Sequence, residues 1–277
     1  ITTSGTGTAP GDITVVHNSP DLAASNLLRL IAHRNVNVNG SISNTTGLGA
    51  LQMYAGWDGI DTATPAVPNP GTITINQPVT TRSGAISLTA NTAVNVNNSV
   101  QVTSGTGPVQ ITGGTVTLSN SGTIVEARGG IGATSVQLSA TNGGITVQNG
   151  VTVNAASFGN ASITLSATGG GISLDGATLS ASGGNVGSGT GGAASVSLSS
   201  SGGVSSNSLN LTNFSATGGN STDTLGGGGG AADILIQSAG AIDLTAGSLV
   251  ATGGTALTGT AGTGTAIPVS FSNCATS

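Results

Sequence analysis

Apolar and small polar residues alternate in short runs along almost the whole chain. Ile86-Ser-Leu88, Val94-Asn-Val96, Val136-Gln-Leu138, Ile145-Thr-Val147 and Ile163-Thr-Leu165 are examples. A period of two with β-branched content predicts half-buried strands. Gly, Asn or Ser stands between the runs and predicts turns. Helical periodicity is confined to one weak stretch, Asp21 to Leu30.

The runs come in threes. First strands of successive triplets begin at 86, 109, 136, 163, 196, 234 and 269. The pattern extends backward, because Leu28 to Ile42 aligns without gaps on Ile86 to Val100 at an offset of 58. Leu51-Gln-Met53 opens the coil between them, and Ile73-Thr-Ile75 with Val79 completes it. Nine starts, the last incomplete, give a three-sided parallel β-helix of about eight to nine coils. At a strand spacing of about 4.8 Å the rod is on the order of 40 Å long. Val36, Val38, Ile42, Val94, Val96 and Val100 are expected inside, and Asn37, Asn95, Thr146 and Ser173 outside. A β-sandwich is the rival, since it too has many short strands. Residues 28–277 are read as one solenoid and residues 1–27 as an N-terminal extension or cap. Corner insertions are expected at 56–70, 183–194, 218–232 and 253–266.

Composition narrows the class. Of 277 residues, 48 are Gly, 5% are charged and 2% are aromatic, with a net charge of −5. All four basic residues are Arg, so a nucleic-acid partner is not expected, because phosphate contacts need a basic surface. Collagen is excluded, since Gly has no period of three. No stretch has the apolar length of a membrane span. So few aromatics suit a narrow aliphatic core.

Several features carry candidate chemistry. The motifs Ala181-Ser-Gly-Gly-Asn185, Ala216-Thr-Gly-Gly-Asn220 and Ala251-Thr-Gly-Gly-Thr255 recur in steps of 35 residues. Their loops are expected to stack into a ridge. Gly183, Gly184, Gly218, Gly219, Gly253 and Gly254 become candidates for contact with a neighbouring rod, where missing side chains permit close approach. Asn39, Asn76 and Asn97 follow the second strand of consecutive coils and are expected to form a stacked amide ladder. The loop holding Trp57, Asp58 and Asp61, with Tyr54 near it, contains the only Trp and Tyr. It is the best candidate for a sugar-stacking or calcium site; otherwise Trp57 folds back over an apolar edge. Glu126 and Arg128, two apart on a strand, are expected to pair on the surface. His17 and His33, without a third ligand, make a weak metal site. No cofactor is expected, and no catalytic constellation is found, since the nine acids are scattered.

The stretch Asn26 to Ser43, followed by Gly49-Ala-Leu-Gln-Met-Tyr-Ala-Gly-Trp-Asp-Gly59 and Gly71-Thr-Ile-Thr-Ile-Asn76, resembles filamentous-haemagglutinin-type exoproteins of bacteria. The resemblance is clearest over residues 11 to 102. It implies a right-handed parallel β-helix, secreted and extracellular or on the cell surface, acting as an adhesin, a biofilm-matrix protein or a stalk. At the ends, Ile267-Pro-Val-Ser-Phe271 reads as a bare strand and Asp21 to Leu28 as a short helical cap. Open edges template association, so head-to-tail assembly into a fibre is expected, with Phe271 and Cys274 as contact candidates. The partners expected are therefore copies of the chain, and host or matrix glycans. The alternative functions are a carbohydrate-binding or carbohydrate-cleaving β-helix and, second, an ice-binding solenoid.

Overall fold

A computed structural model describes residues 1–3, 11–103, 105, 107–130, 132–206, 212–244 and 246–271. It is all-β, with three parallel sheets of nine, nine and eight strands. The first sheet stacks Leu28–Ala32, Leu51–Ala55, Ile86–Ala90, Val109–Gly113, Thr134–Ala140, Ala161–Ala167, Ala194–Ser200, Ala232–Ser238 and Gly264–Phe271. The second stacks Ile13–Val15, Val36–Val38, Thr72–Ile75, Ala93–Val96, Thr115–Leu118, Ile145–Val147, Ile172–Leu174, Val204–Ser206 and Ile242–Asp243. The third stacks Ile42–Asn44, Val79–Thr81, Val100–Val102, Ile124–Arg128, Thr152–Ala156, Thr178–Ser182, Thr212–Thr217 and Ala246–Thr252. The chain visits the sheets in turn and advances one strand per circuit, which is a three-sided parallel β-helix. The sandwich rival fails, because every strand pairing is parallel and joins neighbouring coils.

Register follows the sequence repeat. Leu28 faces Leu51 and Leu51 faces Ile86. Val36 faces Ile73 and Ile73 faces Val94. Ile42 faces Val79 and Val79 faces Val100. The 58-residue offset is therefore two coils. Inward positions form continuous aliphatic columns, and Val36, Val38, Ile73, Val94, Val96 and Val100 are wholly buried. Where the first sheet ends, the inward column narrows to Ala55, Ala90, Gly113, Ala140 and Ala167. Small residues there let the chain turn the corner without a void. Phe214 is the one Phe in this core among the described residues. Burial of each Val or Ile contributes roughly 1.5–3 kcal/mol.

Two expectations need correction. Asp21 to Leu28 is not a helix. Residues 1–27, where described, form an additional coil in which Ile13–Val15 pairs with Val36–Val38 and Thr2 bridges Ile31. The N–H groups of Ser19 and Leu22 donate to the carbonyls of Ser41 and Ser43. Eight residues are too few to hold a helix by propensity, and the open edge of the next coil offers a bond for each of these amides. The last strand begins earlier than Val269. Gly264 pairs with Ala232, and one extra residue separates the pairs Ile234–Ala266 and Ile236–Val269. Pro268 lies within this bulge and has no N–H to give to a ladder.

Candidate functional site

The Trp57 loop leaves the rod between Ala55 of the first sheet and Thr72 of the second. Gly56 turns it outward with φ of 90°. Trp57 then folds back and is buried, 6% exposed, with Nε1 donating to the Asp61 carbonyl at 3.2 Å. Asn69 Nδ2 donates to the Trp57 carbonyl at 3.0 Å and closes the loop base. Arg29 reaches up from the first sheet and donates to the carbonyls of Thr62 and Ala63 at 2.6 and 3.0 Å.

The loop carboxylates are turned to their own backbone. Asp58 Oδ1 accepts from Ile60 N at 2.9 Å. Asp61 Oδ1 accepts from Ala63 N at 2.7 Å and Oδ2 from the Thr64 hydroxyl at 2.5 Å. These bonds, Thr64 first, hold the Asp61 carboxyl below the ordinary carboxylate value. The Tyr54 hydroxyl approaches Gln52 Oε1 at 3.4 Å. The indole is therefore not an open stacking platform, and the two acids bond within their own loop. Trp57 is thus folded back and buried within its own loop. Among the described residues no group of three or more His, Cys, Asp or Glu could hold a metal ion.

The amide ladder forms as expected. Asn76 Nδ2 donates to Asn39 Oδ1 and Asn97 Nδ2 to Asn76 Oδ1, each at 2.8 Å. It extends one rung further, because the Ser119 hydroxyl donates to Asn97 Oδ1 at 2.5 Å. A second ladder occupies the Gly-rich loops. Asn185 Oδ1 accepts from Asn220 N, and Asn220 Oδ1 from Thr255 N, both at 2.7 Å. Its sequence signal was the recurring residue after each Gly-Gly pair.

The three Gly-rich loops follow the third-sheet strands that end at Ser182, Thr217 and Thr252. They do stack, and Val186, Ser221 and Ala256 bridge in parallel. Their glycines, however, face one another inside the chain. Gly192 N donates to Gly184 O, Gly219 N to Gly192 O, Gly230 N to Gly219 O, Gly254 N to Gly230 O and Gly262 N to Gly254 O, all between 2.7 and 2.9 Å. The out-going and returning arms of each loop touch at Gly183–Gly192, Gly218–Gly230 and Gly253–Gly262, where a Cβ would lie 2.0 to 2.1 Å from a carbonyl oxygen. Close backbone approach is thus used within the subunit. The outer surface of the ridge is its tips, with Leu225 95% and Leu257 64% exposed. Phe271 is the last described residue and its backbone pairs with Ser238; Cys274 lies outside the described residues.

The outward faces carry mainly hydroxyl and amide side chains. The first-sheet row reads Gln52, Ser87, Gln110, Gln137, Thr164, Ser197 and Leu235 in register. The second-sheet row reads Asn37, Thr74, Asn95, Thr117, Thr146, Ser173, Ser205 and Asp243. Neither is a regular Thr array. Glu126 and Arg128 pair at 2.8 Å, yet the carboxylate is buried, and Asn154 Nδ2 also donates to it at 2.6 Å. Beside Arg128 lies a notch that sequence reasoning missed, because its parts come from three coils. Among the described residues no helix is long and apolar enough to cross a membrane. No family model matches the chain, and no curated protein or solved structure does either.

Proposed function

We propose that the protein is a non-catalytic structural β-solenoid that works outside the cell, as a self-associating fibre subunit or an adhesin stalk in surface attachment or a biofilm matrix. The observation that carries this reading is the outer surface. Rows of Ser, Thr, Asn and Gln cover the sheets, and charged residues make up 5% of the chain. Such a surface exerts little electrostatic repulsion between copies, and low net repulsion promotes association. The long uniform sheets give a stiff spacer with few places for a catalytic cleft. The resemblance of residues 11 to 102 to filamentous-haemagglutinin-type exoproteins supports the same reading.

Electron microscopy and sedimentation of the full chain at rising concentration test it. Short rods are expected to join into filaments or bundles as concentration rises. Monodisperse short rods at every concentration would remove self-association from the proposal.

A further inference from the structure

At the end of the third sheet, Arg128, Ala156 and Ser182 stand in register on three successive coils. The middle residue is a methyl group between two longer side chains, and a notch of about 310 Å³ opens above it. Phe158 forms one wall and is 65% exposed. It is one of five aromatic residues in the chain, and its ring stands open to contact at the edge of a concavity. Gly184 and Asn185 form the far wall. Gly184 has no room for a side chain, since a Cβ there would lie 2.1 Å from the Phe158 backbone. The wall carrying the ring is thereby fixed against the next coil.

Arg128 is ion-paired through one nitrogen and otherwise open to solvent. Its Nε donates to Glu126 Oε1 at 2.8 Å, while its side chain remains 61% exposed. The buried carboxylate, itself bonded by Asn154, fixes the guanidinium before any ligand arrives. Two of the other three Arg residues are committed elsewhere: Arg34 to Asp12, and Arg29 to Gln52 and the Trp57 loop. Arg82 is exposed and occupies the position equivalent to Arg128 two coils earlier, since Thr81 pairs with Val102 and Val102 with Ala127. Two coils separate the cations by about 10 Å along the rod.

We infer that this notch binds a uronic-acid unit of an acidic polysaccharide that runs along the rod axis. A pyranose ring presents a flat face of C–H groups that packs on Phe158. Its carboxylate matches the two terminal nitrogens of Arg128, since Nε is given to Glu126 and the guanidinium stays charged. Ser182 and Asn185 supply hydroxyl and amide partners for ring hydroxyls. The volume lies at the lower end for ligand sites, enough for a sugar unit or two and too little for a folded partner. This inference does not depend on self-association, since one copy contributes every residue.

Calorimetric titration of the purified full chain with a hexamer of galacturonic acid tests it, alongside the same hexamer reduced to neutral galactose units. The acidic hexamer is expected to bind, with affinity falling as salt rises, and the neutral hexamer at least tenfold more weakly. Phe158→Ala alters an exposed ring and should leave the fold intact while weakening binding at least tenfold. Arg128→Gln also removes the partner of the buried Glu126, so it is paired with Glu126→Gln in one double variant, which should weaken binding at least tenfold and abolish the preference for the acidic hexamer. No binding at millimolar hexamer, equal binding of the two hexamers, or unchanged affinity in the Phe158→Ala variant would overturn the inference. Sedimentation of the same samples reports association separately, so failure of one reading is distinguishable from failure of the other.

Discussion

A β-carbon on Gly219 would lie 1.8 Å from the carbonyl oxygen of Gly184 and 2.3 Å from its carbon. Both atoms are backbone, so neither can swing aside. Gly219→Ala is expected to destabilise the chain by about 1–3 kcal/mol, the range for forced overpacking. Gly187, in the tip of the preceding loop, has nothing within 4 Å of its Cβ position. Gly187→Ala should change stability by less than about 0.5 kcal/mol. Guanidinium unfolding of the two variants checks the contrast. Composition showed the glycines and their 35-residue recurrence, but not which way they faced. The direction of a Cβ depends on how two arms of one loop meet, and no local pattern encodes that. The same limit hid Arg128 and Phe158, which are 30 residues apart in sequence and become neighbours only through stacking. The Asn39, Asn76 and Asn97 rungs were legible, because identical residues at identical coil positions must stack. Asn97 and Asn39 begin Asn-x-Ser sequences, and their amides are engaged in the ladder.

At the scale of elements, strands and corners could be read from alternation and punctuation. Asn37, Asn95, Thr146 and Ser173 all stand in the outward row of the second sheet, as alternation predicts, because a period of two leaves only two choices of face. The N-terminal coil was not legible. Asp21 opens the stretch with weak helical spacing and Asp12, Asn18 and Ser19 precede it, yet the side chains of all four accept N–H groups of the next coil, those of Asn35, Ser41, Ser43 and Thr45. These polar residues stitch the coil to the next one, a tertiary demand that overrides a short local propensity. The stitch is pH-dependent. The Arg34 side chain, then burial in the opposite sense, then Asn35 N–H set the Asp12 carboxyl, with a net shift below the ordinary 3.8. The Thr45 hydroxyl and Ala23 N–H lower Asp21 in the same direction. A carboxyl with a lowered folded value stabilises fully above its unfolded value and loses that contribution as pH falls through the folded one. Residues 11–24 should therefore become sensitive to pepsin first as pH drops below 3.8 toward the lowered values, with the later coils still protected. Asp12→Asn should loosen the same segment at neutral pH. Simultaneous cleavage of all coils would contradict this.

Across the whole molecule, each coil packs on its two neighbours and on little else, so stability is close to a sum of local terms. Phe214 fills the third-sheet column between Leu179 and Leu249 and is wholly buried. Phe214→Ala should cost about 3–5 kcal/mol. Because coupling is to nearest neighbours, the loss should appear as early proteolysis of the loops at 183–193, 218–231 and 253–263. Residues 28–102 should keep their wild-type melting behaviour. A single transition displaced along the entire rod would mean that cooperativity reaches further than adjacent coils. The three sheets also have a mechanical consequence. Their interstrand hydrogen bonds lie along the rod axis, so tension applied end to end loads them one after another rather than all at once. A coil of 27 residues such as Val109 to Ser135 occupies about 4.8 Å of rod. Pulled free, it pays out about 90 Å of extended chain. Under load such a rod yields one coil at a time, and each released coil lengthens nearly twentyfold, absorbing work that a rigid rod would pass on to its ends.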